Sequence, residues 1–169
     1  MKIILFAGFK QSGKTTALTS LARYLIAHGK KVGSIKRAGK GDIEMPRKDS
    51  WLHLQSGANP VALFSRDIIL IHERASKNSL EQIMLYFKKK KLDYLLVEGF
   101  YSEFTMKSGV VTVVCAKDEK ELEELLILHR DASVITGRYA SSGVKEYHGI
   151  PVLSLYSQID RIAKVISER

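Results

Sequence analysis

Gly8, Gly13, Lys14 and Thr15 stand at the spacing G-x-x-x-x-G-K-[ST], in the stretch GFKQSGKTT between an apolar run and an amphipathic one. That pattern suits one kind of chemistry. Glycines let a short backbone curl until successive N–H groups point inward at phosphate oxygens. A helix that starts directly afterwards adds its unpaired N–H groups and the positive end of its dipole. Lys14 then supplies a point charge for the outer phosphates, and the Thr15 hydroxyl can ligate Mg²⁺. Gly8, Lys10, Gln11, Ser12, Gly13, Lys14, Thr15 and Thr16 are therefore the candidate nucleotide-binding residues. Phe9 fills the place where one subclass of such loops carries an extra lysine that acts across a dimer. For Lys10, one residue later, phosphate contact and plain exposure both stand.

A phosphate-bound metal needs acids near the carboxyl ends of the strands, where ligands of open α/β sheets bind. The stretch KLDYLLVEGFYSE places Glu98 there and Asp93 at the opposite end of the same strand. Glu98 is thus expected to hold Mg²⁺ directly or through water, or to orient a water. A second acidic group lies in GSIKRAGKGDIEMPRKDSWLHLQSGA: Asp42, Glu44 and Asp49, among Lys36, Arg37, Lys40, Arg47 and Lys48. Such a mixed loop suits sensing of a γ-phosphate or contact with a second anion, and Asp49 equally suits the N-cap of a short helix.

The elements that must position these groups follow from periodicity. Strands are expected at 2–7, 31–36, 61–64, 68–71, 92–97, 110–115, 133–136 and 152–155, mostly short continuous runs of Val, Ile and Leu, as for strands covered on both faces. Helices are expected at 14–28, 50–56, 80–90, 119–128 and 159–168, with capping-box signals at Ser79/Gln82 and Asp118/Glu121 and a glycine terminator at Gly29. Only Ser65, Arg66 and Asp67 separate the third and fourth strands, too few for a parallel crossover, so these two must form a hairpin. The expected architecture is a three-layer α/β/α fold of the P-loop NTPase kind. Its sheet is mostly parallel, with an antiparallel hairpin excursion, and residues 1–169 form a single nucleotide-binding domain.

Composition narrows the class. The chain of 169 residues carries a formal net charge of +9, with 45% apolar and 27% charged residues, a globular profile that attracts anions. Apolar runs of about five residues fall far short of a membrane span. No charged-then-apolar leader precedes the first strand, and the expectation is a cytoplasmic protein. The Lys88–Lys91 run closes a helical pattern, where cations complement the dipole, and no aromatics interleave it as nucleic-acid binding would need. Cys115, inside VVTVVCA, reads as a buried structural thiol. The histidines at 28, 53, 72, 129 and 148 are scattered singletons rather than a metal-cargo cluster.

The combination GFKQSGKTT, SIKR, DIEMPRKDSWLHLQSGA and LLVEGF resembles the molybdopterin-guanine dinucleotide biosynthesis protein B (MobB) family over residues 1–128. The resemblance implies a homodimeric P-loop protein that binds GTP with Mg²⁺ and hydrolyses it slowly. It also implies a guanylyltransferase of the molybdenum cofactor pathway as partner, and molybdopterin as a further ligand. Carried onto this chain, it makes Lys14, Asp42 and Glu98 the catalytic candidates and Thr15, Glu98 and Asp42 the metal ligands. Lys36, Glu44, Lys48 and Asp49 form a switch-like loop. Arg37 to Lys40 and Tyr101 depart from the family, which commonly has histidines and a lysine at those places. No N-K-x-D motif is present; ITGR, 135–138, ends a late strand where a base-reading loop could lie, and the guanine assignment rests on the resemblance. The competing reading is an ATP-dependent P-loop kinase of a small molecule or nucleoside. That would require an acceptor pocket, a base and an arginine-bearing lid, for which Arg47 alone is placed.

Overall fold

The computed structural model describes residues 1–38, 49–76, 79–105 and 107–169, with Asp49 described by its backbone. In chain order the elements are β1 (Lys2–Ala7), α1 (Lys14–Ala27), β2 (Val32–Lys36), α2 (Asp49–Gln55), β3 (Val61–Phe64), β4 (Ile69–His72) and α3 (Ser79–Lys89). There follow β5 (Tyr94–Glu98), α4 (Tyr101–Phe104), β6 (Val110–Cys115), α5 (Glu119–Leu128), β7 (Val134–Thr136), a 3₁₀ turn (Arg138–Ser141), β8 (Glu146–Tyr147), β9 (Ile150–Pro151) and α6 (Ile159–Glu168). Two compact units emerge: Met1–Arg37 with Phe87–Arg169, and Ala38–Tyr86.

The first unit is built on a five-stranded sheet in the order β2-β5-β1-β6-β7, with every pairing parallel. Its central strand β1 buries Ile4, Leu5, Phe6 and Ala7 almost completely, because both faces are covered. That is why its sequence is a continuous apolar run rather than an alternation. Alternate residues of β6 feed two cores: Val113 and Cys115 pack with Leu21, Leu25 and Ile162 of α1 and α6, while Val114 packs with Leu122 and Leu125 of α5. Helices on both faces of a parallel sheet make the three-layer α/β/α arrangement the sequence predicts. Cys115 is fully buried, and burial pushes its thiol up to about 12, consistent with an inert structural role.

Local chemistry explains the helix ends. Lys30 N donates to Leu25 O and Gly29 N to Ile26 O, both at 3.0 Å, the paired bonds of a Schellman terminator at Gly29. Asp118 caps α5 by accepting from Glu121 N at 2.9 Å, worth about 1 kcal/mol. The return arm of the expected capping box lands one residue earlier: the Glu121 carboxylate accepts from Lys117 N at 3.0 Å. Ser79, expected to cap from outside, is itself the first residue of α3, and its Oγ accepts from Ser76 N at 2.6 Å. Lys88 and Lys89 occupy the last turn of α3, as the helix-end reading of that basic run requires.

The second unit contains the expected hairpin: β3 and β4 pair antiparallel, Val61 opposite His72 and Phe64 opposite Ile69. One expected strand is corrected. Residues 152–155 add no full strand; Val152 makes a lone parallel bridge to Ile135, and Ile150–Pro151 instead pairs with β8 in a small hairpin. The chain leaves the sheet there because Ser154 N is taken by the Gln158 side chain at 3.0 Å. Gln158 N returns to Ser154 O, turning the backbone into α6. Among the described residues no helix is long and apolar enough to cross a membrane.

Candidate functional site

The loop after β1 is compelled by its neighbours. A Cβ on Gly8 would collide with the Cys115 carbonyl oxygen and the Ser12 hydroxyl, so only glycine fits there. Gly13 holds φ at 93°, a left-handed conformation that directs the chain into α1. Helix α1 carries no side-chain N-cap bond and no acid in its first turn, so its terminal N–H groups and dipole face the loop uncompensated. The Ser12 hydroxyl is buried and has no hydrogen-bond partner among the described residues. A curled loop, an uncapped helix start and an unsatisfied hydroxyl together fit an anionic oxygen-rich group such as a phosphate chain.

Glu98, the last residue of β5, lies beside the first turn of α1. Thr15 Oγ1 donates to Glu98 Oε2 at 3.0 Å and lies 3.2 Å from Oε1. Lys36 Nζ, at the end of β2, stands 3.5 Å from Glu98 Oε1. The Glu98 side chain is only 11% exposed, so these contacts keep an otherwise buried charge satisfied. Lys14 Nζ donates to Phe9 O at 2.6 Å, folded back across its own loop. A cavity of about 390 Å³ is lined by Lys10, Lys14, Lys36, Thr15, Thr16 and Glu98, three cations to one carboxylate among the described residues. Lys10 thus borders the cavity. A hard cation would find oxygen donors at Thr15 and Glu98, the donor set Mg²⁺ takes alongside phosphates.

A second cavity of about 430 Å³ shares Gln11, Gly13 and Thr16 with the first and extends to Gly137, Arg138 and Ser141, and to Ser154–Tyr156. Gly137 lies so close that a Cβ on it would stand 2.7 Å from Ser12 O. The ITGR segment therefore reaches the phosphate loop. Among the described residues no carboxylate lines this second cavity.

Two supports escaped the sequence reading. The Tyr101 hydroxyl donates to Gly8 O at 3.0 Å, and burial raises its pKa. Arg37 lies over the Phe100 ring with its guanidinium carbon 4.3 Å from the centroid, and it also pairs with Glu103. Phe100 is held at φ 59°, an unusual conformation for a bulky side chain. The turn that follows Glu98 is thus tied to the phosphate loop by Tyr101 and to the end of β2 by Arg37. Only the aromatic and basic residue types in SIKR and EGFY hinted at this; their partners are remote in sequence. Asp93 accepts from Lys31 N at 2.7 Å, away from the site as expected.

Gly8, Gln11, Ser12, Gly13, Lys14, Thr15, Thr16, Lys36 and Glu98 are therefore gathered in one place. Asp42, Glu44 and Lys48, with Arg47, lie outside the described residues, as does the Asp49 side chain; the Asp49 backbone opens α2.

The profile of the family described as "Molybdopterin guanine dinucleotide synthesis protein B" matches residues 3–134. A molybdopterin-guanine dinucleotide biosynthesis adapter protein of Haemophilus influenzae is 34% identical over 122 residues, 71% of this chain and 68% of that protein. The adapter protein of Escherichia coli is 33% identical over 105 residues, 60% of each chain. A putative adapter protein of Methanocaldococcus jannaschii is 24% identical across the whole chain, which spans 62% of its length. Among solved structures, Bacillus subtilis MobB superposes with TM-score 0.74 at 23% identity, covering 98% of both chains. A MobB homologue from Bacillus stearothermophilus gives 0.72 at 20% identity with full coverage of both. These structural likenesses establish the α/β fold.

Proposed function

The chain belongs to the MobB family, and on that premise we propose that it is a GTP-binding adapter of molybdenum cofactor biosynthesis that serves a partner guanylyltransferase during formation of molybdopterin guanine dinucleotide. The observation that carries this reading is the meeting of Thr15 and Glu98 beside the Gly8–Gly13 loop. The loop N–H groups, the Ser12 hydroxyl and the start of α1 bind the phosphates. Lys14 exchanges the Phe9 carbonyl for the β- and γ-phosphates, and Lys10 adds charge at the rim. Thr15 and Glu98 hold Mg²⁺, and Asp42 is assigned with them. When bound, Mg²⁺ would supply positive charge to offset that of the phosphates. Lys36, Glu44, Lys48 and Asp49 are assigned to the γ-phosphate-responsive loop. The nucleoside end extends into the cavity of Gly137, Arg138 and Ser154–Tyr156.

Turnover is slow on this reading, since neither an arginine finger nor a water-orienting glutamine is assigned, and Gln11 is part of the phosphate loop. The family supports partnership in the pathway, and molybdopterin is assigned with it as a further ligand. A homodimer is favoured by the hairpin, where Phe64, Ile69, Leu70 and Ile71 are all more than half exposed on two strands that, among the described residues, pair only with each other.

Calorimetric titration of GTP and ATP, each with Mg²⁺, into the wild type and Lys14→Ala tests the reading. Tighter GTP than ATP binding, with both lost in Lys14→Ala, supports it. Equal or tighter ATP binding removes the guanine assignment and favours a kinase. Among the described residues no carboxylate lines the second cavity, and carbonyls and hydroxyls there would have to meet guanine's N–H donors, which makes that comparison informative.

A further inference from the structure

Tyr101 and Arg37 line neither the cavity at Thr15 and Glu98 nor the one that reaches Arg138, yet both bear on the phosphate loop. The Tyr101 hydroxyl donates to Gly8 O at 3.0 Å, and burial raises its pKa, so it keeps the proton it donates. A peptide is planar, so a held Gly8 carbonyl also fixes the direction of the Phe9 N–H. Among the described residues, Ser12 is the one N–H between Phe9 and Gly13 that donates to a backbone carbonyl, Phe9 O at 3.3 Å. The others are left for an anion, and a loop whose donors are aimed in advance binds at a lower ordering cost.

Tyr101 starts α4 directly after a strained stretch. Gly99 and Phe100 take φ of 83° and 59° in succession. Glycine carries this conformation freely, whereas phenylalanine keeps it only where its surroundings compel it. The Arg37 guanidinium carbon lies 4.3 Å from the centre of the Phe100 ring. Phe104, itself buried, meets that ring edge-on at 6.4 Å. Arg37 N donates to Glu98 O at 2.9 Å, and the Arg37 guanidinium pairs with Glu103. Arg37 thus grips the chain on both sides of Tyr101. Backbone strain of this kind gathers at sites where geometry serves a ligand.

We propose that Tyr101 is a positioning residue of the nucleotide site, setting the Gly8–Phe9 peptide for phosphate, and that Arg37 acts on the same peptide through Tyr101. This role rests on the nucleotide reading of the loop. Neither side chain needs to touch the nucleotide; each alters its affinity by aiming the loop.

Two readouts test this. In nucleotide-free protein, NMR compares the Gly8 carbonyl carbon and Phe9 amide resonances of the wild type and its variants. Both should move in Tyr101→Phe and, to a smaller extent, in Arg37→Lys. With Mg²⁺ present, GTP affinity should fall about 2- to 10-fold in Tyr101→Phe, the worth of one hydrogen bond. Arg37→Lys keeps the charge but loses the planar fork and flat stacking face, and should weaken GTP about 2- to 5-fold. In the Tyr101→Phe background the same substitution should add little, since its route to the loop is gone. A merely structural Tyr101 would lower the urea midpoint in Tyr101→Phe and leave GTP affinity unmoved. That result, or unchanged Gly8 and Phe9 resonances, would overturn the role of Tyr101. No loss from Arg37→Lys, or equal losses in both backgrounds, would overturn the action of Arg37 through Tyr101. A wild type that binds no GTP sinks the nucleotide reading, whereas the resonance comparison still decides whether Tyr101 sets the loop.

Discussion

Thr15 Oγ1 and the Glu98 carboxylate meet at 3.0 Å, joining the first turn of α1 to the last residue of β5 across 83 positions of sequence. Lys36 approaches the same carboxylate at 3.5 Å. Thr15 and Glu98 are the residues that would hold Mg²⁺, and Lys36 would then be available to a phosphate. These contacts satisfy a buried charge with the same groups that the proposed function assigns to the nucleotide.

Gly8→Ala should be damaging out of proportion to one methyl group. The added Cβ meets the Cys115 carbonyl, which is sheet backbone and cannot yield, as well as the Ser12 hydroxyl. Overpacking of this kind costs about 1–3 kcal/mol. Urea unfolding should show the lowered midpoint and GTP titration a weakened loop. A variant with both properties of the wild type would show that the loop tolerates a side chain there.

His129 gives stability a pH dependence of defined sign. Burial lowers its folded pKa from the ordinary 6.5, against the opposing charge of Asp131, and the neighbouring ring is that of Tyr101. The unfolded chain therefore takes up the proton first. This contribution to stability is full above about 6.5 and is lost as pH falls through that value toward the lower folded pKa. Urea midpoints measured at pH 7.5 and 5.5 should fall more for the wild type than for His129→Phe. Equal falls would show that the ring protonates as readily in the fold as out of it.

The hairpin predicts an association. Phe64 is 81% exposed and Ile71 65%, on strands whose outer edges are unpaired among the described residues. Sedimentation of the wild type should show a dimer, and Ile69→Lys with Ile71→Lys should shift it to monomer while leaving nucleotide affinity within about twofold, as expected for sites that do not couple. A monomeric wild type, or a dimer insensitive to the lysines, would remove the hairpin as the dimer contact.

Much of the site was legible because its signals are local. The phosphate loop is a contiguous pattern, Glu98 directly follows a buried strand, and the three residues between β3 and β4 admit only a hairpin. What escaped depends on distant partners. The Tyr101 bond to Gly8 spans 93 positions, and nothing in EGFY says which carbonyl its hydroxyl will reach. The Arg37 stack on Phe100 requires two strand ends to lie side by side. Residues 152–155 were misread because an apolar run resembles a strand by periodicity, whereas competition for Ser154 N by the Gln158 side chain decides the outcome. Helix α4 spans four residues, too short for any helical period to show.

The central claim is that Thr15 and Glu98 form the metal end of a nucleotide site. The most direct test titrates GTP into wild type and Glu98→Gln, each with Mg²⁺ and with EDTA, and compares the two affinity ratios. The ratio is the proper reading, because removing a negative charge alone would favour an anion. The wild type should lose about 10- to 100-fold in affinity without Mg²⁺, the scale on which altered metal environments act, and Glu98→Gln should show little metal dependence. If Glu98→Gln keeps the full wild-type dependence on Mg²⁺, Glu98 does not serve the metal.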